Sequence, residues 1–145
     1  MEDGDEADHW FRTISFKGKP VELVEKELVA LHLPGLRFRR INRTGAKGKP
    51  VSAVYVEVTD WNAWHPTELS FHLMRLACKL DPPNPFAKLN IVQMRSFNIH
   101  VGSTVWWNAL KRDGARVKVE AFLAEWRQRN QVYQQQSRRY WLYPE

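Results

Sequence analysis

The chain predicts an α+β fold: a small single domain in which an antiparallel strand pair or small sheet packs against about four helices. Three observations carry that expectation. Two segments, 36–42 and 51–60, alternate apolar and polar residues at strand period across a short glycine-bearing loop. Four others read as helices from apolar spacing and from their start and stop residues. At 145 residues with 43% apolar and 12% aromatic content, the chain can close one core and does not have the composition of a disordered segment.

The elements follow in order. "KPVELVEKELVALHLPG" (19–35) reads as a helix with Pro20 in a first-turn position. Val21, Val24, Leu28 and Leu31 form its stripe, widened by Leu23 and Val29, and Leu33-Pro34-Gly35 ends it. In "LRFRRIN" (36–42), Leu36, Phe38 and Arg40 alternate with Arg37, Arg39 and Ile41; "RTGAKGKP" (43–50) is a basic turn or loop. "VSAVYVEVTD" (51–60) places Val54, Val56 and Val58 on one face of a second strand. In 61–80, Pro66 opens an amphipathic helix carrying Leu69, Leu73, Leu76 and Leu80, and "DPPNPF" stops it. Within 87–101, "LNIVQMRSFNIHV" reads as a mixed extended segment. Ser103 is placed to cap a helix over "TVWWNALKRDG", with Asp113-Gly114 as its stop. A last helix spans about 117–137, with Val119, Phe122, Leu123, Trp126 and Tyr133 on one stripe, before a strand-like "RRYWLYP" tail. Residues 1–18 form an acidic N-terminal segment or linker, leaving 19–145 as the folded domain.

Charge and chemistry narrow the function classes. The formal net charge is +6, unevenly spread: residues 1–8 hold five acids and no base, and 37–49 hold six bases and no acid. No apolar run reaches the roughly 20 residues of a membrane helix. The acidic start lacks the basic and apolar regions of a signal peptide, as expected of a cytosolic protein or of a gene fragment. The single cysteine, Cys78, rules out an internal disulfide and reads as a buried thiol. The five histidines show no metal-binding spacing, and no nucleotide-loop or GxSxG signature is present, so no metal and no cofactor are expected. No pair of carboxylates stands out as the two groups a glycosidase sets across its cleft. Glu57 and Asp60 belong to a strand and its end, and Glu68 to a helix first turn, where an acid favours the dipole.

The stretch "FNIHVGSTVWWNALKRDGA" (97–115) joins a His, a Gly-Ser corner and a tandem Trp pair. On a helix Trp106 and Trp107 point about 100° apart. Two readings stay open: one ring in the core with the other half-buried, or a flat platform for a sugar or base. His100 is either a hydrogen-bonded structural residue or a lining residue of that corner. The basic loop is either a solvated turn or a contact for phosphate or carboxylate.

Read in order, "LPGLRFRRI", "VYVEVTDWNAWHPTELSFHLMRL", "FNIHVGSTVWWNALKRDGA" and "FLAEWRQRNQVYQQQSRRYWLY" resemble the C-terminal domain of the exo-β-N-acetylmuramidases, a peptidoglycan-recycling family long catalogued as a domain of unknown function. Leu33, Pro34, Gly35, Arg37, Phe38 and Arg39 match its first strand motif, and Val54, Val58, Thr59 and Asp60 the second. Trp64, His65 and Pro66 stand where its helix opens, Gly102-Ser103 at its turn, and Tyr140, Leu142 and Tyr143 in its tail. The family's loop between the two strands is usually longer, with a Cys-Gly-Gly-Val step; this chain has "NRTGAKGKPVSAV". The resemblance implies an auxiliary domain with no catalytic residue of its own, closing one wall of a glycan pocket. Its partner would be a Rossmann-like catalytic domain of the same or a neighbouring protein, and its ligand a muropeptide or amino-sugar glycan. It also implies a periplasmic or secreted setting. Arg40, Asn42, Arg43, His100 and Trp106 are the candidate substrate contacts. Two alternatives are kept. One is a nucleic-acid module using Arg37, Arg39, Arg40, Arg43, Lys47 and Lys49, which neither an RNP motif nor a helix-turn-helix supports. The other is a scaffold whose exposed aromatics meet a protein partner.

Overall fold

A computed structural model describes residues 12–44, 48 and 50–142. Its order is β1 (Thr13–Ile14), α1 (Val21–Val29), β2 (Leu36–Thr44), β3 (Pro50–Val58), α2 (Pro66–Leu80), α3 (Ile91–Val101), α4 (Thr104–Asp113) and α5 (Val119–Ser137). Short 3-10 turns occupy Pro85–Lys88, Gly114–Arg116 and Arg138–Tyr140. The fold is thus α+β, with five helices and a three-stranded antiparallel sheet ordered β1-β3-β2 among the described residues. Residues 13–14, read from sequence as part of an N-terminal segment, supply its third strand by pairing Thr13 with Tyr55 and Ile14 with Val54.

The β2–β3 hairpin pairs Leu36 with Val58 through to Thr44 with Pro50. Its inner face carries Phe38, Val54 and Val56, which pack with Val24 and Leu28 of α1 and Leu76 and Leu80 of α2. At the sheet's far end Gly35 holds φ +72°, and its carbonyl accepts from the Thr59 and Asp60 amides. A Cβ at Gly35 would lie 2.4 Å from the Asp60 carbonyl oxygen and 2.9 Å from the Trp64 nitrogen, so only glycine fits. Asp60 then folds the next turn, its Oδ1 accepting from the Asn62 and Ala63 amides.

Helix α2 is shared by two cores. Its Leu69, Leu73, Leu76 and Leu80 stripe faces the sheet. Its opposite side sends Phe71 and Cys78 into a second cluster with Trp106 and Leu110 of α4, Val117, and Val119 and Leu123 of α5. Asn84 fastens the turn after α2 to the end of α4, its Nδ2 donating to the Leu110 and Lys111 carbonyls at 2.9 and 3.1 Å. Those carbonyls lie in the last turn of α4, where helix carbonyls begin to run out of backbone partners; Leu110 still accepts from the Gly114 amide.

Four expectations are corrected. The 87–101 segment is not extended: Ile91–Val101 is a helix closed by a reciprocal cap between Asn90 and Gln93 and ended by Gly102 at φ +73°. It makes a fifth helix where about four were expected. The tail is a 3-10 turn over Arg138–Tyr140, not a strand; Tyr143 to Glu145 lie outside the described residues. Tyr133 is 70% exposed, off the buried stripe of α5. Finally, both tandem tryptophans are enclosed, at 0% and 3% exposure. Helix α4 is wedged between neighbours, so directions about 100° apart both meet protein: Trp106 meets Phe71 and Phe122, and Trp107 meets Phe97.

Candidate functional site

A groove of about 170 Å³ opens where α3 turns into α4 against α5, lined by Gly102, Ser103, Val105, Phe122, Trp126 and Arg129, with Glu125 and Asn130 beside them. Its geometry follows from local sequence. Gly102 supplies the left-handed residue that ends α3, and the Ser103 Oγ accepts from the Trp106 amide at 3.1 Å to start α4. The corner therefore turns within two residues and leaves Val105 facing out, 56% exposed. Opposite, α5 presents Phe122, Glu125, Trp126, Arg129 and Asn130 within two turns.

The floor is aromatic. Phe71 contacts Trp106 and Trp126 at 4.9 Å between ring centroids, and Phe122 contacts Trp126 at 5.5 Å. Phe122 and Trp126 are half-buried, so each keeps an open side. The rim is polar: Arg129 pairs with Glu125 one turn earlier, beside the Asn130 amide. Such a surface supports ring stacking and a few hydrogen bonds. Among the described residues it holds one carboxylate, already ion-paired, whereas general-acid glycoside cleavage uses two across the bond.

The five residues chosen from sequence do not converge. Arg40 and Asn42 lie on β2, on the sheet side; His100 and Trp106 belong to the helical side. Arg40 is bound to α1, its Nε 2.9 Å from Glu25 and its Nη1 3.4 Å from Glu22. Asn42 Oδ1 accepts from Ser52 Oγ at 2.7 Å across the hairpin. The side chain of Arg43, with Lys47 and Lys49, falls outside the described residues. His100 is exposed, its Nδ1 2.7 Å from the Ser96 carbonyl of its own helix. Trp106 is fully buried, its Nε1 donating to Met74 Sδ at 3.1 Å, so its ring offers no platform. The groove instead uses Trp126 and Phe122, which sequence reading assigned to a core stripe. Their spacing of four on α5 is the core signal too, and the open sides appear only once α5 is packed.

Among the described residues no group of three or more His, Cys, Asp or Glu gathers as metal ligands, and no helix is long and apolar enough to cross a membrane.

Comparison with known proteins adds the family. A family model described as "Exo-beta-N-acetylmuramidase NamZ, C-terminal" matches residues 5–143. A crystal structure of a DUF1343 family protein from Bacteroides fragilis, at 1.65 Å resolution, superposes with a TM-score of 0.74 at 21% identity. The match covers 92% of this chain and 35% of that one, so the chain spans about a third of the solved protein's length. Among curated proteins, none matches.

Proposed function

Given that the chain belongs to the family of the C-terminal domain of the NamZ exo-β-N-acetylmuramidases, we propose that it docks on a separate, Rossmann-like catalytic domain and closes one wall of that domain's glycan cleft. The observation that carries this reading is the family match over nearly the whole chain, residues 5–143. The groove supports it, since stacking rings and a polar rim suit an amino sugar, while the one carboxylate among its described lining residues is ion-paired and does not suit bond cleavage. The acids that cleave the bond would come from the catalytic domain.

The surface available for docking is the far half of α5 and its tail. Val132, Tyr133, Tyr140 and Leu142 are 48%, 70%, 70% and 89% exposed, more apolar surface than a helix end usually leaves in water. The nucleic-acid alternative draws less support, because Arg37 faces Glu57 at 3.7 Å and Arg40 is held by Glu22 and Glu25. Mixing the chain with the catalytic domain from the same or a neighbouring gene tests the reading by light scattering on a sizing column. A one-to-one complex that Tyr133→Asp plus Leu142→Asp disrupts is expected; two species eluting independently would reject it.

A further inference from the structure

Two ion pairs tie α2 to α5. Arg127 holds Glu68 through Nε and Nη2 at 2.6 and 2.5 Å, and Arg75 Nη1 donates to both oxygens of Glu120 at 3.1 and 3.3 Å. His72 stands between these pairs on α2, one turn from each, with 5% of its surface exposed. One guanidinium serves both helices: Arg75 Nη2 reaches His72 Nδ1 at 3.3 Å while its Nη1 holds Glu120. Among the described residues, Glu68, Arg75 and Glu120 are the charged groups that act on the imidazole. Arg127 lies behind Glu68, and on the α1 side Lys79 and Glu27 pair with each other. Next to His72 in the chain, Phe71 packs on the floor of the α3–α4–α5 groove. Its ring centroid lies 4.9, 5.0 and 4.9 Å from those of Trp106, Phe122 and Trp126.

We propose that this seam is an acid-operated latch beneath the groove: protonated His72 takes Glu120, Arg75 leaves for solvent, and the first turns of α5 shift with Phe122 and Trp126. A solvent proton adds at Nδ1, the lone pair that accepts from Arg75, so that hydrogen bond is lost. Two cations then face each other in a poorly solvated seam, and one must move. His72 is short and buried, whereas Arg75 is long and its side chain is already 25% exposed. Of the two carboxylates, Glu68 keeps Arg127, so Glu120 is the one the imidazolium gains. Burial opposes the charge on Glu120, yet its own backbone amide and Arg75 hold the carboxyl below the usual range, so it is ionised when His72 protonates. Glu120 lies in the first turn of α5, two residues before Phe122, and drawing it toward His72 moves the groove floor. Burial and the Arg75 charge set the latch to open in acid, below the ordinary histidine value of 6.5. The latch concerns the shape of the groove, whatever occupies it, and holds whether or not the chain docks on a catalytic domain.

NMR of the isotope-labelled chain from about pH 7.5 to about pH 4.5 tests the latch. The His72 ring, Arg75 Nε–H and Trp126 Nε1–H signals move together with one midpoint below 6.5, while the Val54 and Val56 amide signals of the sheet stay in place. His72→Gln, whose amide oxygen still accepts from Arg75, abolishes the Trp126 shift. Arg75→Gln raises the His72 midpoint by removing the like charge. Glu120→Gln lowers that midpoint and removes most of the Trp126 shift, because the imidazolium has lost its new partner. The Val54 and Val56 signals certify each variant's fold, and the wild-type titration stands without the variants. A His72 ring that titrates while Trp126 stays still would overturn the latch. So would a Trp126 shift that persists in His72→Gln, or a His72 ring that protonates only as the Val54 and Val56 signals are lost.

Discussion

Arg75 Nη2 donates toward His72 Nδ1 at 3.3 Å, one turn along α2, and so requires a neutral imidazole there. The ring is buried, at 5% exposure. Burial lowers the His72 pKa most, the Arg75 charge adds to it, and Glu120 and Glu68 oppose without prevailing.

That relationship fixes a pH dependence. The unfolded chain takes up the His72 proton near the ordinary value of 6.5, and the folded chain only at lower pH. Stability is therefore full above pH 6.5 and declines as pH falls from there toward the folded value. Denaturant melts across this window should show the decline in the wild type, and a shallower one in His72→Gln.

Gly35 yields the sharpest prediction for the fold. Gly35→Ala forces a side chain into a φ of +72° and against the Asp60 and Trp64 backbone. A loss of about 3 kcal/mol or more follows, a fall in melting temperature on the order of 10 °C. Gly48→Ala separates the two causes: it shares a positive φ, +68°, but nothing lies within 4 Å of its Cβ position, so it should cost clearly less than Gly35→Ala.

Asn84 and Cys78 predict a linked chemical result. Burial pushes the Cys78 thiol up to about 11, and its Sγ donates to Asn84 Oδ1 at 3.4 Å. Alkylation at pH 8 should be slow in the folded chain and fast in denaturant. Asn84→Ala removes the side-chain donor from the Lys111 carbonyl and from the Leu110 carbonyl, which keeps the Gly114 amide, costs about 2 kcal/mol, and speeds labelling of Cys78.

Much of this was legible before the structure. The Leu69, Leu73, Leu76 and Leu80 stripe and the Val54, Val56 and Val58 alternation are strong periodic signals, and both elements sit where those signals put them. Helix α3 was hidden for a physical reason. Its inward residues Met94, Phe97 and Val101 are diluted by outward Ile91, Val92 and Ile99, each at least 70% exposed, so no polar face marks the helix. The Asn90–Gln93 capping pair was the readable signal. Site residues were harder, because side chains adjacent in sequence meet different neighbours. Arg39 and Arg40 point to opposite faces of β2, and only tertiary packing supplies Glu22 and Glu25 to one and Tyr55 to the other. Trp106 failed as a surface ring for the same reason: composition marks an aromatic corner, and packing decides which ring stays open.

The most direct test of the account is turnover of a chromogenic β-N-acetylmuramide by the chain alone, by the catalytic domain alone, and by the two together. The account predicts no hydrolysis by this chain and a rise in the catalytic domain's rate when it is added, lost with Tyr133→Asp plus Leu142→Asp. Hydrolysis by the chain on its own, or a catalytic domain indifferent to its presence, would contradict it.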